Sequence, residues 1–410
     1  MAPTEPTPPL TTSHSPSRSP SKDHTVPAGT RTPTHRALDR VAEFFALLVE
    51  RPISLYAAAV LRIGYGLLYL VFLLREFPHR DVIWGPGSPW TPALARQLFD
   101  ETGWVSVLTL SDSRAYFEFC YAAAVITSAL FMLGWRTRAV SVLFAVVVAS
   151  FHARAIFMTD GGDNLILLMA VYLVFTGCGR RWSLDARRAR LRAAAAPGAS
   201  RPPAVGHAPR GRLRDIRPNV VTVLHNCGMF VIAAQVCILY GSAGLYKVQG
   251  STWGNGTALH YALNLHLFQP WPALSRMADD HLVLIAAACY LTVLLQVAFP
   301  FVLFGKLKYP VLAMMLIMHV GIAVLMGLPL FSAAMIVADA VFLPDRFYRA
   351  LALRFRRAIR RAGADGDADG GEAPSGPERG LVPAQAVHSA GVSMKKGAEL
   401  TEAGTAPSTP

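Results

Sequence analysis

Blocks of apolar, almost uncharged residues recur along this chain at close to the ~20-residue length that crosses the hydrocarbon of a bilayer. Inside lipid the backbone has no water to bond to, and a helix satisfies its amides and carbonyls within each segment. The expected fold is therefore all-α, a polytopic helical membrane protein with about eight transmembrane helices. Spans are read at about 55–74, 115–134, 138–157, 164–178, 221–241, 282–304, 309–327 and 329–343. The composition agrees, because only 16% of residues are charged, against roughly 25% in an ordinary soluble domain.

Residues 1–36 hold eight prolines among serine, threonine and basic residues. They lack an apolar run of the signal-peptide kind, so they are expected to be a disordered tail, and the first span itself to target the protein. Residues 362–410, rich in Gly, Ala, Asp, Glu and Pro, give a second expected disordered tail. The folded part, 37–361, is read as one transmembrane domain with an arginine-rich loop at 179–218. Eleven arginines lie between Arg180 and Arg217, Arg136 and Arg138 separate spans two and three, and Lys306 and Lys308 separate six and seven. Threading eight helices in order puts these loops, and the run from Arg346 to Arg361, on one side. That bias predicts a cell-membrane protein with both termini cytoplasmic. Leu38, Val41, Phe45 and Leu48 on one helical face, and the Arg-rich segment after Leu343, read as interfacial helices.

The formal charge of +13 is accounted for by membrane orientation. The arginines flank apolar spans instead of forming aromatic-interleaved patches, so the lipid bilayer and not nucleic acid is the expected partner. Five cysteines without CxxC spacing indicate neither a disulfide framework nor a metal site.

Several polar residues stand out. Arg62 lies mid-span, where a charge must meet a partner or water. An ion pair with Asp339 at similar depth is one reading, and snorkelling to lipid phosphate the other. The segment Gly241-Ser-Ala-Gly-Leu-Tyr-Lys247 ends span five with small residues that permit close helix approach and places a lysine near the boundary. In a semi-apolar niche such a lysine can act as a general base; snorkelling is the bland alternative. After Trp253 a polar interfacial helix is expected over Ala258–Phe268, with His260 and Asn264 on one face and His266 near its end. Asp163 and Asn164 suit a helix N-terminus. His319 reads as a core or proton-handling histidine, and Gln235 and Gln296 as interhelical hydrogen-bond glue. His152 and Arg154 are placed near the same extracytoplasmic cavity. No P-loop, GxGxxG, HExxH or GxSxG occurs at a usable place, which counts against nucleotide hydrolysis, dinucleotide redox, zinc proteolysis and lipase chemistry. No inverted repeat supports a transporter.

In order along the chain, Leu61-Arg62-Ile-Gly64, Trp182-Ser-Leu-Asp185, Gly244-Leu-Tyr-Lys247 with Trp253 and Gly256, His266-Leu-Phe-Gln-Pro270 and His319 resemble the membrane domain of the vitamin K-dependent gamma-glutamyl carboxylases and their bacterial relatives, the horizontally transferred transmembrane (HTTM) proteins. The match runs over roughly 55–345. The compact layout looks most like the sporulation-delaying-protein B type, associated with maturation of a secreted antimicrobial peptide. The resemblance implies a reduced quinone of menaquinone or vitamin K type as cofactor and Lys247 as the base that deprotonates it on the extracytoplasmic side. His260, His266, His319 and Asn164 are then the expected quinone-facing residues, and Arg62, Asp163, Asp339 and Trp253 the supporting polar positions. The family's second catalytic histidine would fall where this chain has Asp163-Asn164, and its large extracytoplasmic domain is not expected here. The leading expectation is thus a quinone-dependent, carboxylase-like membrane enzyme whose single extracytoplasmic cavity has Lys247, Asp163, Asn164, His260 and His266 near its mouth. A non-enzymatic factor for maturation, export or immunity of an exported peptide is the alternative, and a small-solute transporter the third.

Overall fold

The computed structural model describes Val49 and residues 51–195, 209–303 and 305–369, with side chains described within 51–195, 219–303 and 305–359. The expected N-terminal tail, the residues Leu38, Val41, Phe45 and Leu48, the loop residues 196–208 and residues 370–410 lie outside the described residues. In chain order the main helices are α1 (Leu55–Arg75), α2 (Pro92–Thr102), α3 (Arg114–Leu133), α4 (Thr137–Arg154), α5 (Gly161–Val174), α6 (Leu184–Ala195) and α7 (Pro209–Val248). They continue with α8 (Ala258–Leu263), α9 (Pro272–Asp279), α10 (Leu282–Val302), α11 (Lys308–Leu325), α12 (Pro329–Asp339) and α13 (Asp345–Asp369). No strand occurs among the described residues. The chain divides into compact units Met1–Ala352 and Leu353–Pro410, of which the second contributes helical residues 353–369. Helix therefore extends to Asp369, into the segment expected to be a disordered tail.

Among the described residues six helices are long and apolar enough to cross a bilayer: α1, α3, α4, the Asn219–Val248 part of α7, α10 and α11. These correspond to six of the eight expected spans. The expected fourth and eighth spans are shorter: α5 has 14 residues, and α12 has 11 before a 3-10 turn over Ala340–Phe342. At ~1.5 Å per residue, 14 residues cover roughly 21 Å, less than the ~30 Å of hydrocarbon. Helix α5 begins where its N-cap allows. The Asp160 carboxylate accepts from the Gly162 and Asp163 amides, and the Asp163 carboxylate accepts from the Asp160 amide. This capping box satisfies amides that would otherwise be orphaned.

Helix α1 is the hub, packed against α3, α5 and α12. Its buried face, Ala57, Ala58, Leu61, Tyr65, Tyr69 and Leu73, follows helical spacing and seats in the main core. Burial falls off outward, from 61% of the membrane window of α4 to 17% of that of α11, so α11 faces the surroundings. Close approaches run through glycines. A Cβ on Gly64 would lie 2.6 Å from Val337 Cγ1 of α12, and one on Gly244 would lie 2.9 Å from the Val297 backbone nitrogen of α10. The small-residue stripe before Lys247 thus does draw α7 and α10 together, as expected.

The structure corrects the Arg62 ion pair. Arg62 is fully buried and donates from Nε to Cys178 O at 3.2 Å, from Nη1 to Phe131 O at 2.8 Å and to Met132 O, and from Nη2 to Trp182 O at 2.7 Å. Asp339 instead accepts from Tyr240. Phe131 and Met132 carry carbonyls at the C-terminal end of α3, where the helix dipole is negative and carbonyls lack intrahelical donors. The planar guanidinium meets them and the 178–182 turn together, so no carboxylate is required. Trp182 adopts a left-handed conformation, φ 43°, which belongs to the turn that presents its carbonyl. Gly134 closes α3 at φ 70°, and a Cβ there would fall 2.7 Å from Arg62 Nη1.

Asp185 completes this end of the bundle. It accepts from the Arg136 amide at 3.0 Å, the Thr137 amide at 2.7 Å and the Thr137 hydroxyl at 2.8 Å, capping α4 from a distant segment. Burial pushes its carboxyl up, but these hydrogen bonds outweigh that and hold it below the usual carboxylate range. With the folded pKa below the unfolded one, the contribution is complete above about pH 4 and is lost as pH falls through the depressed value. Asp185→Asn is therefore expected to flatten the acid-side decline of the thermal midpoint. An unchanged decline between about pH 5 and 3 would show that the cap carries none of it.

Candidate functional site: Lys247 in an apolar cleft

Lys247 occupies the last turn of α7. It lines a cleft of about 360 Å³ with Val248, Trp253, Tyr290, Leu294 and Val297. Its Nζ lies 5.3 Å from the centroid of the Trp253 ring and donates to Ala243 O at a long 3.4 Å. It forms no ion pair with a carboxylate among the described residues. The local sequence builds this place. Gly244 lets α10 close on α7, Gly256 takes the left-handed conformation (φ 70°) beside Ala286, and Tyr290 donates to Gly254 O at 2.9 Å, holding the 251–256 turn over the cleft. The result is a primary amine with one weak hydrogen bond, an aromatic face on one side and aliphatic walls on the other.

The other expected site residues are not gathered around it, which corrects the single-cavity expectation. Asp163 lines a separate cavity of about 280 Å³ with His152, Glu76, Tyr69, Trp84 and Phe331, and no residue lines both. His152 does reach that cavity, whereas Arg154 is fully buried and donates to Gly85 O at 3.1 Å. Asn164 is exposed and donates to Asp160 O at 2.9 Å. The expected Ala258–Phe268 helix is also broken. Helix α8 ends at Leu263, and His266–Phe268 form a separate 3-10 turn in which His266 is exposed. His260 and Asn264 do share a face, and a residue not singled out from sequence joins them. Asp279 of α9 accepts from His260 Nδ1 at 2.7 Å and from Asn264 Nδ2 at 2.8 Å. Burial would raise the Asp279 carboxyl, but these bonds hold it below the usual range.

His319 and Asp339 meet through a tyrosine. The Tyr240 hydroxyl lies 3.0 Å from His319 Nε2 and donates to Asp339 Oδ2 at 3.1 Å. One hydroxyl proton cannot serve both neighbours, so His319 donates from Nε2, and among the described residues its Nδ1 is left without a partner, as is Asp339 Oδ1. All three side chains are buried, and none lines the Lys247 cleft. Gln235 accepts from Tyr172 of α5 at 3.2 Å, the interhelical bond expected of it, while Gln296 Oε1 has no partner among the described residues. The partners missed from sequence, Tyr240, Asp279 and Asp160, carry little local signal. A tyrosine inside an apolar block reads as core, and Asp279 lies 19 residues from His260.

No protein-family model, curated protein or solved structure matches the chain.

Proposed function

We propose that this chain is a cell-membrane protein of the HTTM type, both termini cytoplasmic, in which the Lys247 cleft binds a lipid-soluble quinol and Lys247 takes its proton. The observation that carries this reading is an amine without a carboxylate partner in an apolar, aromatic-rimmed cleft beside α10, whose Leu294 is 64% exposed toward the surroundings. A compound dissolved in lipid reaches such a cleft sideways. The donor set fits a planar aromatic head, with Trp253 and Tyr290 as ring neighbours and Nζ as the one amine on the wall. A bound quinol would supply an acidic hydroxyl and a reducing ring. Lys247 would receive the hydroxyl proton from its position under Trp253, and Ala243 O would hold the resulting ammonium by accepting from it. The surrounding aliphatic side chains exclude water from the amine.

The meeting of the resembling segments supports the family reading: Arg62 bonds the Trp182 carbonyl, and Gly244, Lys247 and Trp253 build one cleft. Asp163 and Asn164 have no part in the proton transfer, since they belong to the other cavity or its rim.

The test is quinol-dependent chemistry by purified protein in nanodiscs. Reduced menaquinone or vitamin K is supplied with oxygen, and oxidised products are followed by mass spectrometry. Wild type is expected to form product, and Lys247→Ala to lose at least about 100-fold, the scale of a general base. Product from Lys247→Ala at the wild-type rate, or none from either protein with several quinols, would overturn the reading in favour of binding without chemistry.

A further inference from the structure

At the end of the molecule where Arg62 and Asp185 act, the start of α4 and the turn after α5 enclose a cavity of about 430 Å³ whose wall includes Arg136, Arg138 and Arg180. The approach that makes it depends on two glycines. A Cβ on Gly179 would fall 2.5 Å from Thr137 Oγ1, and one on Gly177 would lie 3.2 Å from Arg180 Cδ, so the bare backbone lets the turn close on α4 and the Arg180 side chain lie along it. The one carboxylate in the wall is Asp185, already engaged by the Arg136 amide and by the amide and hydroxyl of Thr137. Neither Arg138 nor Arg180 forms an ion pair among the described residues, whereas Arg136 rests on the ring of Trp135. Arg180 is partly buried, and its guanidinium is held below its ordinary pKa by burial first and by the charge of Arg138 second. Two guanidinium groups of like charge thus line one cavity whose single carboxylate is already engaged. The positive end of the 18-residue α4 adds to the same field.

We propose that this cavity binds a phosphate-bearing anion held by Arg138 and Arg180, with Arg136 at its edge. A phosphate removes the repulsion and offers oxygens that guanidinium groups bind with two parallel hydrogen bonds each. The cavity lies where α3 ends, α4 begins and α5 ends, the level at which phospholipid headgroups meet apolar helices, so the phosphate of an anionic lipid is the source this position favours. A soluble phosphate shares the chemistry. The site is separate from the Lys247 cleft and stands whether or not that cleft carries out quinol chemistry.

The experiment uses full-length protein in a neutral detergent, titrated in parallel with phosphatidylglycerol, phosphatidylcholine and inorganic phosphate, the last against chloride at matched ionic strength. Thermal midpoint and the lipid retained after detergent exchange, counted by mass spectrometry, are the readouts. A ligand that binds the folded state alone raises the midpoint in a saturable way. Phosphatidylglycerol is expected to do so in wild type and phosphatidylcholine not. Arg138→Gln/Arg180→Gln should weaken the apparent affinity by at least about tenfold. Arg187→Gln/Arg192→Gln, which removes two exposed charges outside the cavity, should leave it unchanged. Without anion the cavity variant should unfold at or above the wild-type temperature, because a repulsion has been removed. A saturable response to inorganic phosphate with the same variant pattern assigns the site to a soluble phosphate. No saturable response, equal losses in both double variants, or a cavity variant that unfolds well below wild type in the absence of anion would overturn the proposal.

Discussion

Arg62→Met is expected to remove a large fraction of the stability of the transmembrane unit. The side chain is buried and supplies hydrogen bonds to carbonyls of Phe131, Met132, Cys178 and Trp182, on two segments distant in sequence. Methionine fills similar volume and leaves these acceptors without their donor. An unsatisfied buried acceptor costs ~1–3 kcal/mol, so a loss of about 3–5 kcal/mol follows even when some carbonyls find water. Against a total of ~5–15 kcal/mol this is a large fraction, read as a fall in thermal midpoint of roughly 10 °C or as failure to accumulate in the membrane. Arg62→Lys should recover only part, because an ammonium on a flexible stem lacks the planar fork that reaches both segments. A midpoint for Arg62→Met within about 2 °C of wild type would show that the carbonyl clamp contributes little.

Gly66→Val is the second change with a large expected effect. One helical turn beyond Arg62, a Cβ on Gly66 would lie 2.8 Å from the Met132 nitrogen and 2.9 Å from its Cα. Backbone cannot swing aside as a side-chain tip can, so α1 must move off α3. Overpacking of this kind costs ~1–3 kcal/mol, and valine belongs at the upper end. The same displacement pulls Arg62 away from Phe131 and Met132, because both residues dock on one stretch of α3. The two substitutions should therefore be non-additive: in a double-mutant cycle, Arg62→Met with Gly66→Val loses less than the sum of the singles. Strict additivity would mean that the glycine contact and the clamp are independent.

The apolar blocks made the helical architecture legible, since a 20-residue run without charge leaves few alternatives. Helix ends were less legible, and α5 shows why. Hydropathy continues through Phe175 to Cys178, but the helix stops at Val174 and the chain turns, so the apolar run overstates the helix. The site was legible in part. Gly244, Lys247 and Trp253 lie close in sequence and their meeting follows from one helix end and one turn. The partner of Arg62 was not legible, because backbone carbonyls leave no mark in sequence and Asp339 was the visible carboxylate at similar depth. Asp279 was missed for a related reason: a shared face of His260 and Asn264 announces a need for an acceptor but not which segment supplies it. Arg138 and Arg180 are brought together by glycines at 177 and 179 whose role appears only when a Cβ is imagined there.

The shortness of α5 and α12 has a consequence for the surrounding lipid. The two helices pack side by side, and at 14 residues α5 falls about 9 Å short of a ~30 Å hydrocarbon layer. A bilayer meets such hydrophobic mismatch by thinning locally, at a cost of fractions of a kcal/mol per Å. The cavity holding Asp163 is lined in part by the N-terminal ends of this pair, including Asp160, Gly162, Pro329 and Phe331. Local thinning of that kind is expected to bring the headgroup boundary toward that cavity, whose wall includes Tyr69 and Phe331. Lengthening α5 by about six residues at its C-terminal end is expected to remove that mismatch while leaving the cavity residues at its N-terminal end in place.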